Sequence, residues 1–260
     1  MSLDIINAYC GYKNKCILKN INLKINDDEI LCILGPNGVG KTTLLKSILG
    51  FLKLQSGEIF LNEKKINNCS NIELAKVIAY VPQLHTPPFP YEVLDVVVMG
   101  KTVHLGYFKS PSKSDYKIAE DMLEKLGITY LKDSIYTEIS GGERQLVLIA
   151  RALVQDPKIL IMDEPTSNLD YGNQIRVLRQ INRLSKMGIS IIMTSHFPEH
   201  AFLCSAKIAL IEKNSVIHLG SAEKIVTEEN MKSAYGITVK IGDFKKDNGE
   251  MVKTCIPIMN

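Results

Sequence analysis

The chain has 260 residues, of which 45% are hydrophobic and 23% charged, a composition that excludes disordered, collagen-like and coiled-coil proteins. The formal net charge of +3 is small and its basic residues do not cluster beyond pairs, so no nucleic-acid partner is expected. The six cysteines are scattered and lack the spacing of a zinc site. No segment has the pattern of a signal peptide or of a membrane-spanning helix. We therefore expect a cytosolic globular protein with reduced, mostly buried thiols.

Four short apolar runs end in polar or glycine-rich turns, which is typical of parallel strands covered by helices on both faces. They occupy residues 30–34, 77–81, 158–162 and 189–195. Helical patterns lie between them at residues 41–52, 116–126, 143–154 and 171–186. The alternation predicts an α/β fold with a parallel sheet. In such a fold we expect ligands to bind at the carboxyl ends of the strands.

The other segments predict smaller elements. Residues 1–30 and 57–66 favour a flanking antiparallel sheet, and residues 208–219 a hairpin turned at Lys213 and Asn214. The stretch from Leu84 to about Leu153 is rich in helical patterns and interrupted by prolines, which indicates a helical insert. The expected division is a core of residues 1–83 and 155–225, a helical subdomain of residues 84–154 and a C-terminal extension of residues 226–260.

A glycine-rich motif follows the first parallel strand and opens a helix. It reads Gly35, Pro36, Asn37, Gly38, Val39, Gly40, Lys41 and Thr42, with Thr43 next, and matches G-x-x-x-x-G-K-[ST]. Such a loop closes its backbone N–H groups around phosphate oxygens, and the helix N-terminus adds a favourable dipole. Lys41 would place a charge near the β and γ phosphates, and Thr42 would offer a hydroxyl to Mg²⁺.

Two carboxylates, Asp163 and Glu164, end the strand at residues 158–162. Phosphoryl transfer needs one carboxylate to hold Mg²⁺ and another group to orient the attacking water. Asp163 suits the first role and Glu164 the second, as the catalytic base.

Residues 139–145, Ile-Ser-Gly-Gly-Glu-Arg-Gln, resemble the signature loop of the nucleotide-binding subunits of ABC transporters. The resemblance implies a P-loop NTPase fold: a RecA-like parallel core, a flanking antiparallel β-sheet and an inserted helical subdomain. It also implies a head-to-tail homodimer that binds two ATP molecules. Ser140, Gly141 and Gly142 of one subunit would cover the γ-phosphate held by Lys41 of the other.

The resemblance extends from about residue 3 to 236 and implies further site residues. Tyr12 corresponds to the aromatic that stacks on adenine, and Gln83 to the glutamine that contacts Mg²⁺ together with Thr42 and Asp163. Asp170, in the loop 167–170, corresponds to a residue at the dimer interface. His196 corresponds to the catalytic histidine that contacts the γ-phosphate.

Three positions depart from the family pattern. Glu143 replaces the usual glutamine, Asp28 stands where a glycine is common, and Phe197 with Pro198 follows His196 where an acidic residue is frequent. None of these changes removes a catalytic group, but Glu143 could weaken the approach of phosphate by repulsion.

The segment from Leu84 to Lys101, then Ser114-Asp115-Tyr116 and the later Tyr235-Gly236-Ile237, resemble importer ATPases for iron siderophores, haem, cobalamin or molybdate. This resemblance implies permease subunits that dock near residues 83–100, an extracytoplasmic solute-binding protein and a place on the cytoplasmic face of the cell membrane. The alternative is a soluble ABC ATPase of iron–sulfur cluster assembly.

Overall fold

The computed structural model describes residues 2–13, 15–83, 89–106, 109–245, 247, 249 and 251–259. The strands are β1 (Leu3–Tyr12), β2 (Lys15–Ile25), β3 (Ile30–Leu34), β4 (Ser56–Leu61), β5 (Lys64–Lys65), β6 (Ile78–Val81), β7 (Ile159–Met162), β8 (Ser190–Ser195), β9 (Lys207–Ile211), β10 (Ile217–Ser221), β11 (Val239–Lys245) and β12 (Met251–Pro257). The α-helices are α1 (Lys41–Ile48), α2 (Asn71–Ala75), α3 (Val93–Val98), α4 (Lys113–Lys125), α5 (Gly141–Val154), α6 (Tyr171–Lys186), α7 (Pro198–Leu203), α8 (Ala222–Ile225) and α9 (Glu228–Tyr235).

These elements form two compact units. The first comprises residues 1–69 and 190–260, and the second comprises residues 70–189. The division into a core, a helical subdomain at residues 84–154 and a C-terminal extension stays a prediction.

The first unit contains the predicted antiparallel sheet, in the order β2-β1-β4-β5. It also contains β3 between two parallel neighbours, β8 and β9, with β10 antiparallel to β9. All five residues of β3 are buried and apolar, as expected of a strand covered on both faces. Leu34 pairs with Ser195, so the chain leaves β3 and β8 at the same edge.

In the second unit β6 pairs in parallel with β7, and helices supply most of the remaining structure. Ten of the fourteen residues of α5 are buried, which makes this helix the centre of the helical region. The Asp163 N–H donates to the Val81 carbonyl (3.0 Å), so the chain also leaves β6 and β7 at a common edge. The predicted α/β class, with parallel strands, helices and a separate antiparallel sheet, is confirmed.

Two segments differ from the sequence-based expectations. Helix α1 ends at Ile48 rather than at residue 52, because Gly50 adopts a left-handed φ of 74° that stops the helix. The last strands, β11 and β12, form an antiparallel hairpin that the sequence did not predict.

All six cysteines are free, and four of them, Cys10, Cys32, Cys204 and Cys255, are buried. This confirms the prediction of mostly buried thiols. Among the described residues, no helix is both long and apolar enough to cross a membrane.

Candidate functional site

The glycine-rich loop connects β3 to α1 through three glycines with positive φ. Their values are 152° at Gly35, 78° at Gly38 and 114° at Gly40. A Cβ at Gly35 would lie 2.5 Å from the Ile211 carbonyl oxygen, so only glycine fits there. The loop thus delivers the free N–H groups of the α1 N-terminus to the edge of the sheet.

Lys41 lies at the first position of α1 and is buried, at 5% exposure. Its ammonium donates hydrogen bonds to the carbonyl oxygens of Gly35 (2.8 Å) and Pro36 (3.2 Å). The side chain therefore folds back across the loop. Thr42 and Thr43 follow within the same turn, and no acidic residue opposes anion binding there.

His196 follows β8 at the same edge, because Leu34 and Ser195 are paired. Its ring lies 4.1 Å from the ring of Phe197, centroid to centroid. The first unit thus brings the glycine-rich loop and His196 to the ends of adjacent strands.

Tyr12 ends β1 and is 46% exposed. An exposed flat ring with a polar hydroxyl is suited to stacking on a base. Stacking of Tyr12 on adenine stays a prediction.

In the second unit, Gln83 follows β6 while Asp163 and Glu164 follow β7. The Gln83 amide donates to the Glu164 carboxylate (Nε2 to Oε2, 3.0 Å), which brings together two of the predicted residues. Asp163 is buried, at 4% exposure. Glu164 adopts a left-handed φ of 46°, an unusual conformation for a residue other than glycine.

The predicted signature residues form the N-terminus of α5. Ser140 caps the helix in a capping box: the Glu143 N–H donates to Ser140 Oγ (3.3 Å), and the Ser140 N–H donates to Glu143 Oε2 (2.9 Å). The Ser140 hydroxyl also donates to Glu143 Oε2 (2.7 Å), and the Tyr130 hydroxyl donates to Oε1 (3.0 Å). These donors, chiefly Ser140, lower the pKa of Glu143.

Asp170 caps α6 by accepting the Asn173 N–H (2.9 Å), and the Asn173 amide donates to its other oxygen (2.6 Å). These bonds lower the pKa of Asp170. A Cβ at Gly142 would lie 2.4 Å from Asn173 Cγ, so the signature loop and the Asp170 loop are in close contact. Sequence reasoning missed Asn173, although the pattern Asp-x-x-Asn at a helix start signals such a cap.

No cluster of three or more His, Cys, Asp or Glu side chains suited to a metal is found in the described part of the chain. In nucleotide sites, Mg²⁺ generally takes one or two carboxylates and completes its shell with phosphates and water.

A glycine-rich loop between a parallel strand and a helix, with carboxylates ending another parallel strand, defines a P-loop NTPase. The sequence profile of the ABC transporter family matches residues 18–167, and the chain belongs to this family. It is an ATP-binding, ATP-hydrolysing protein.

Several relatives cover nearly the whole chain. An iron chelatin transport ATP-binding protein of Helicobacter pylori is 37% identical over 90% of this chain and 93% of its own length. The molybdate import ATP-binding protein MolC of Haemophilus influenzae is 35% identical over 90% of this chain and 87% of its own. A solved metal-chelate type ABC transporter, in an inward-facing conformation, superposes with a TM-score of 0.89 at 31% identity over 99% of this chain and 97% of its own.

The departures from the family pattern have local explanations. Asp28 has a left-handed φ of 60°, the conformation that glycine adopts most readily. Pro198 occupies the first turn of α7, where the missing N–H costs little. Glu143 completes the capping box of Ser140.

Proposed function

We propose that this chain is the ATP-hydrolysing subunit of a binding-protein-dependent ABC importer for a metal chelate or metal oxyanion. The observation that carries the enzymatic part is the pair of strand-end sites, the loop of Gly35 to Thr42 after β3 and the Gln83–Glu164 pair after β6 and β7. The cargo rests on relatives whose names specify iron chelatin and molybdate, and on a metal-chelate type transporter of the same fold.

The nucleotide is held mainly by the first unit. The backbone N–H groups of the loop bind the phosphates, and Lys41 exchanges its bonds to the loop carbonyls for phosphate oxygens. Tyr12 stacks on adenine, and His196 contacts the γ-phosphate from the neighbouring strand end.

Mg²⁺ would be held by oxygen atoms of Thr42, Gln83 and Asp163, which are ligands that this cation prefers. When bound, it supplies charge neutralisation for the phosphates. Glu164 orients the attacking water and accepts its proton, while the Gln83 amide holds the carboxylate in place (3.0 Å).

Ser140 and the N–H groups of Gly141 and Gly142 form a second anion site at the start of α5, and Asp170 lies in the adjoining loop. We propose that this site covers the γ-phosphate held by a second copy of the chain. The active form is then a homodimer with two ATP molecules.

Permease subunits would dock near residues 83–100, of which residues 84–88 lie outside the described part. Phe89 and Tyr91 there are 60% and 37% exposed, whereas Val93 is buried. The backbone is held firmly, because Tyr91 accepts from the Tyr136 N–H (2.9 Å) and Val93 donates to Ser134 (2.9 Å). Exposed aromatics on a fixed backbone suit a protein interface.

The chain would then work at the cytoplasmic face of the membrane, and the solute-binding protein would act through the permease.

The substitution Glu164→Gln tests the proposal. We expect it to retain ATP binding, to lose at least about a hundredfold in phosphate release and to sediment as a dimer with ATP. Glu124→Gln, an exposed change of the same kind on α4, is the control and should behave as wild type. Phosphate release at the wild-type rate by Glu164→Gln would refute the assignment of the base.

Purification of the tagged chain from membranes tests the importer assignment. We expect a polytopic membrane protein to co-purify in detergent. Recovery with soluble partners alone would overturn the importer and favour the iron–sulfur assembly alternative.

A further inference from the structure

The turn that carries His196 is held on both sides by one buried histidine of α7, His200. Ser195, immediately before His196, has its Oγ 3.0 Å from His200 Nδ1. Phe197, immediately after His196, accepts the His200 backbone N–H at its carbonyl (3.2 Å) and packs its ring 5.0 Å from the imidazole.

Ser195 contacts both His200 and Phe197 through its hydroxyl oxygen. Its Oγ accepts the Phe197 N–H (3.0 Å), so the residues on either side of His196 are also bonded to each other. Ser195 and His200 are 3% and 5% exposed, so water does not compete for these bonds.

The protonation state of His200 is consistent with an acceptor role. Burial, with a smaller contribution from His196, lowers the pKa of His200 to about 4, which keeps the ring neutral near pH 7. A neutral imidazole has one nitrogen that accepts. The Ser195 hydroxyl has two acceptors for its proton, Nδ1 at 3.0 Å and the Phe197 carbonyl oxygen at 3.4 Å, and Nδ1 is the nearer.

We propose that His200 is a positioning residue for ATP hydrolysis, which acts through Ser195 and Phe197 to fix the turn that presents His196 to the γ-phosphate. The inference rests on the proposed role of His196. A residue that only fills the core could be replaced by a hydrocarbon, whereas this one makes a buried polar contact next to the reacting group.

The test compares three variants of the full chain by steady-state ATP hydrolysis. We expect His200→Leu, which keeps the bulk but removes the acceptor, to lower kcat about tenfold while KM for ATP changes less than about twofold. His200→Asn should restore at least about half of the wild-type kcat, because its Oδ1 can take the place of Nδ1 and accept the Ser195 proton. Ser195→Ala should resemble His200→Leu.

The double variant Ser195→Ala/His200→Leu separates a shared contact from two independent effects. If both residues act through one hydrogen bond, its kcat should be no lower than that of the worse single variant. His218→Leu is the matched control and should keep the wild-type rate, since this histidine lies on β10 and contacts Glu212 (Nε2 to Oε1, 3.1 Å). Thermal unfolding of each variant checks that the fold persists.

Wild-type kcat in His200→Leu, an equal loss in His200→Asn, or multiplying effects in the double variant would each overturn the inference. Unchanged hydrolysis in His196→Ala would overturn it as well, because there would be no role for His200 to support. An inactive wild-type chain would instead refute the proposed function. The two failures are therefore distinguishable.

Discussion

Glu143 shows how one side chain serves both a helix and a candidate binding site. Its carboxylate accepts from the Ser140 N–H, the Ser140 hydroxyl and the Tyr130 hydroxyl. The Ser140 hydroxyl donates its proton to Glu143, so that proton is not available for a hydrogen bond to a γ-phosphate. The negative charge of Glu143 also repels that phosphate. The capping function and the proposed phosphate contact therefore oppose each other at this residue.

Glu143→Gln should relieve this opposition. Glutamine can still cap the Ser140 N–H, so the free energy of unfolding should change by less than about 1 kcal/mol. With the charge removed, kcat/KM for ATP should rise roughly fivefold at low salt and by less at high salt.

Tyr130→Phe is the control for this prediction, since it removes one donor but leaves the charge, and it should not increase kcat/KM. Hydrolysis measured at two ionic strengths decides the outcome. Equal rates for wild type and Glu143→Gln at low salt would show that the carboxylate does not oppose phosphate.

At the scale of elements, the contact between α5 and α6 depends on Gly142, which has no side chain. Asn173 lies very close to Gly142. A Cβ added at Gly142 would lie 2.4 Å from the Cγ and 2.8 Å from the Cβ of Asn173. The neighbouring Gly141 has no atom closer than 3.7 Å to such a Cβ. Adjacent glycines of the signature thus have different structural requirements.

Gly142→Ala should destabilise the protein by about 1–3 kcal/mol, because Asn173 must move and lose its bonds to Asp170. Gly141→Ala should be neutral or slightly stabilising, since alanine favours a helix. Urea unfolding of both variants measures the difference. Equal stabilities of the two variants would contradict this account.

The strands around the site could be predicted because each is a continuous apolar run that ends in a polar turn, as β3 and β7 do. The phosphate loop followed from its motif. The hairpin β11–β12 could not be predicted, because Asp243 and Phe244 break the apolar alternation begun by Val239 and Ile241 and much of the hairpin is exposed. The Ser195–His200 contact also escaped prediction, since it depends on how the turn at Phe197 folds back.

For the whole molecule, buried His200 links the stability of the fold to pH. Its pKa is about 4 in the folded protein and 6.5 when unfolded. As pH falls below 6.5, the unfolded chain therefore binds a proton that the folded one does not, and stability decreases.

Between pH 7 and pH 5 this group should cost the wild type about 2 kcal/mol of unfolding free energy. The variant His200→Asn lacks the titrating group, so its stability should fall by about 2 kcal/mol less over the same interval. Urea unfolding at the two pH values measures both. If the wild type and His200→Asn lose the same unfolding free energy between pH 7 and pH 5, His200 does not cause the pH dependence.

The distribution of the thiols has a practical consequence. Burial raises the pKa of Cys10, Cys32, Cys204 and Cys255, so these side chains carry almost no reactive thiolate near neutral pH. Cys16 and Cys69 are partly exposed. Cys16 pairs with Gly11 on β1, one residue from Tyr12. A maleimide dye added to the natural chain should therefore attach at these two positions, and the one at Cys16 would serve as an optical reporter beside the ring proposed to receive adenine.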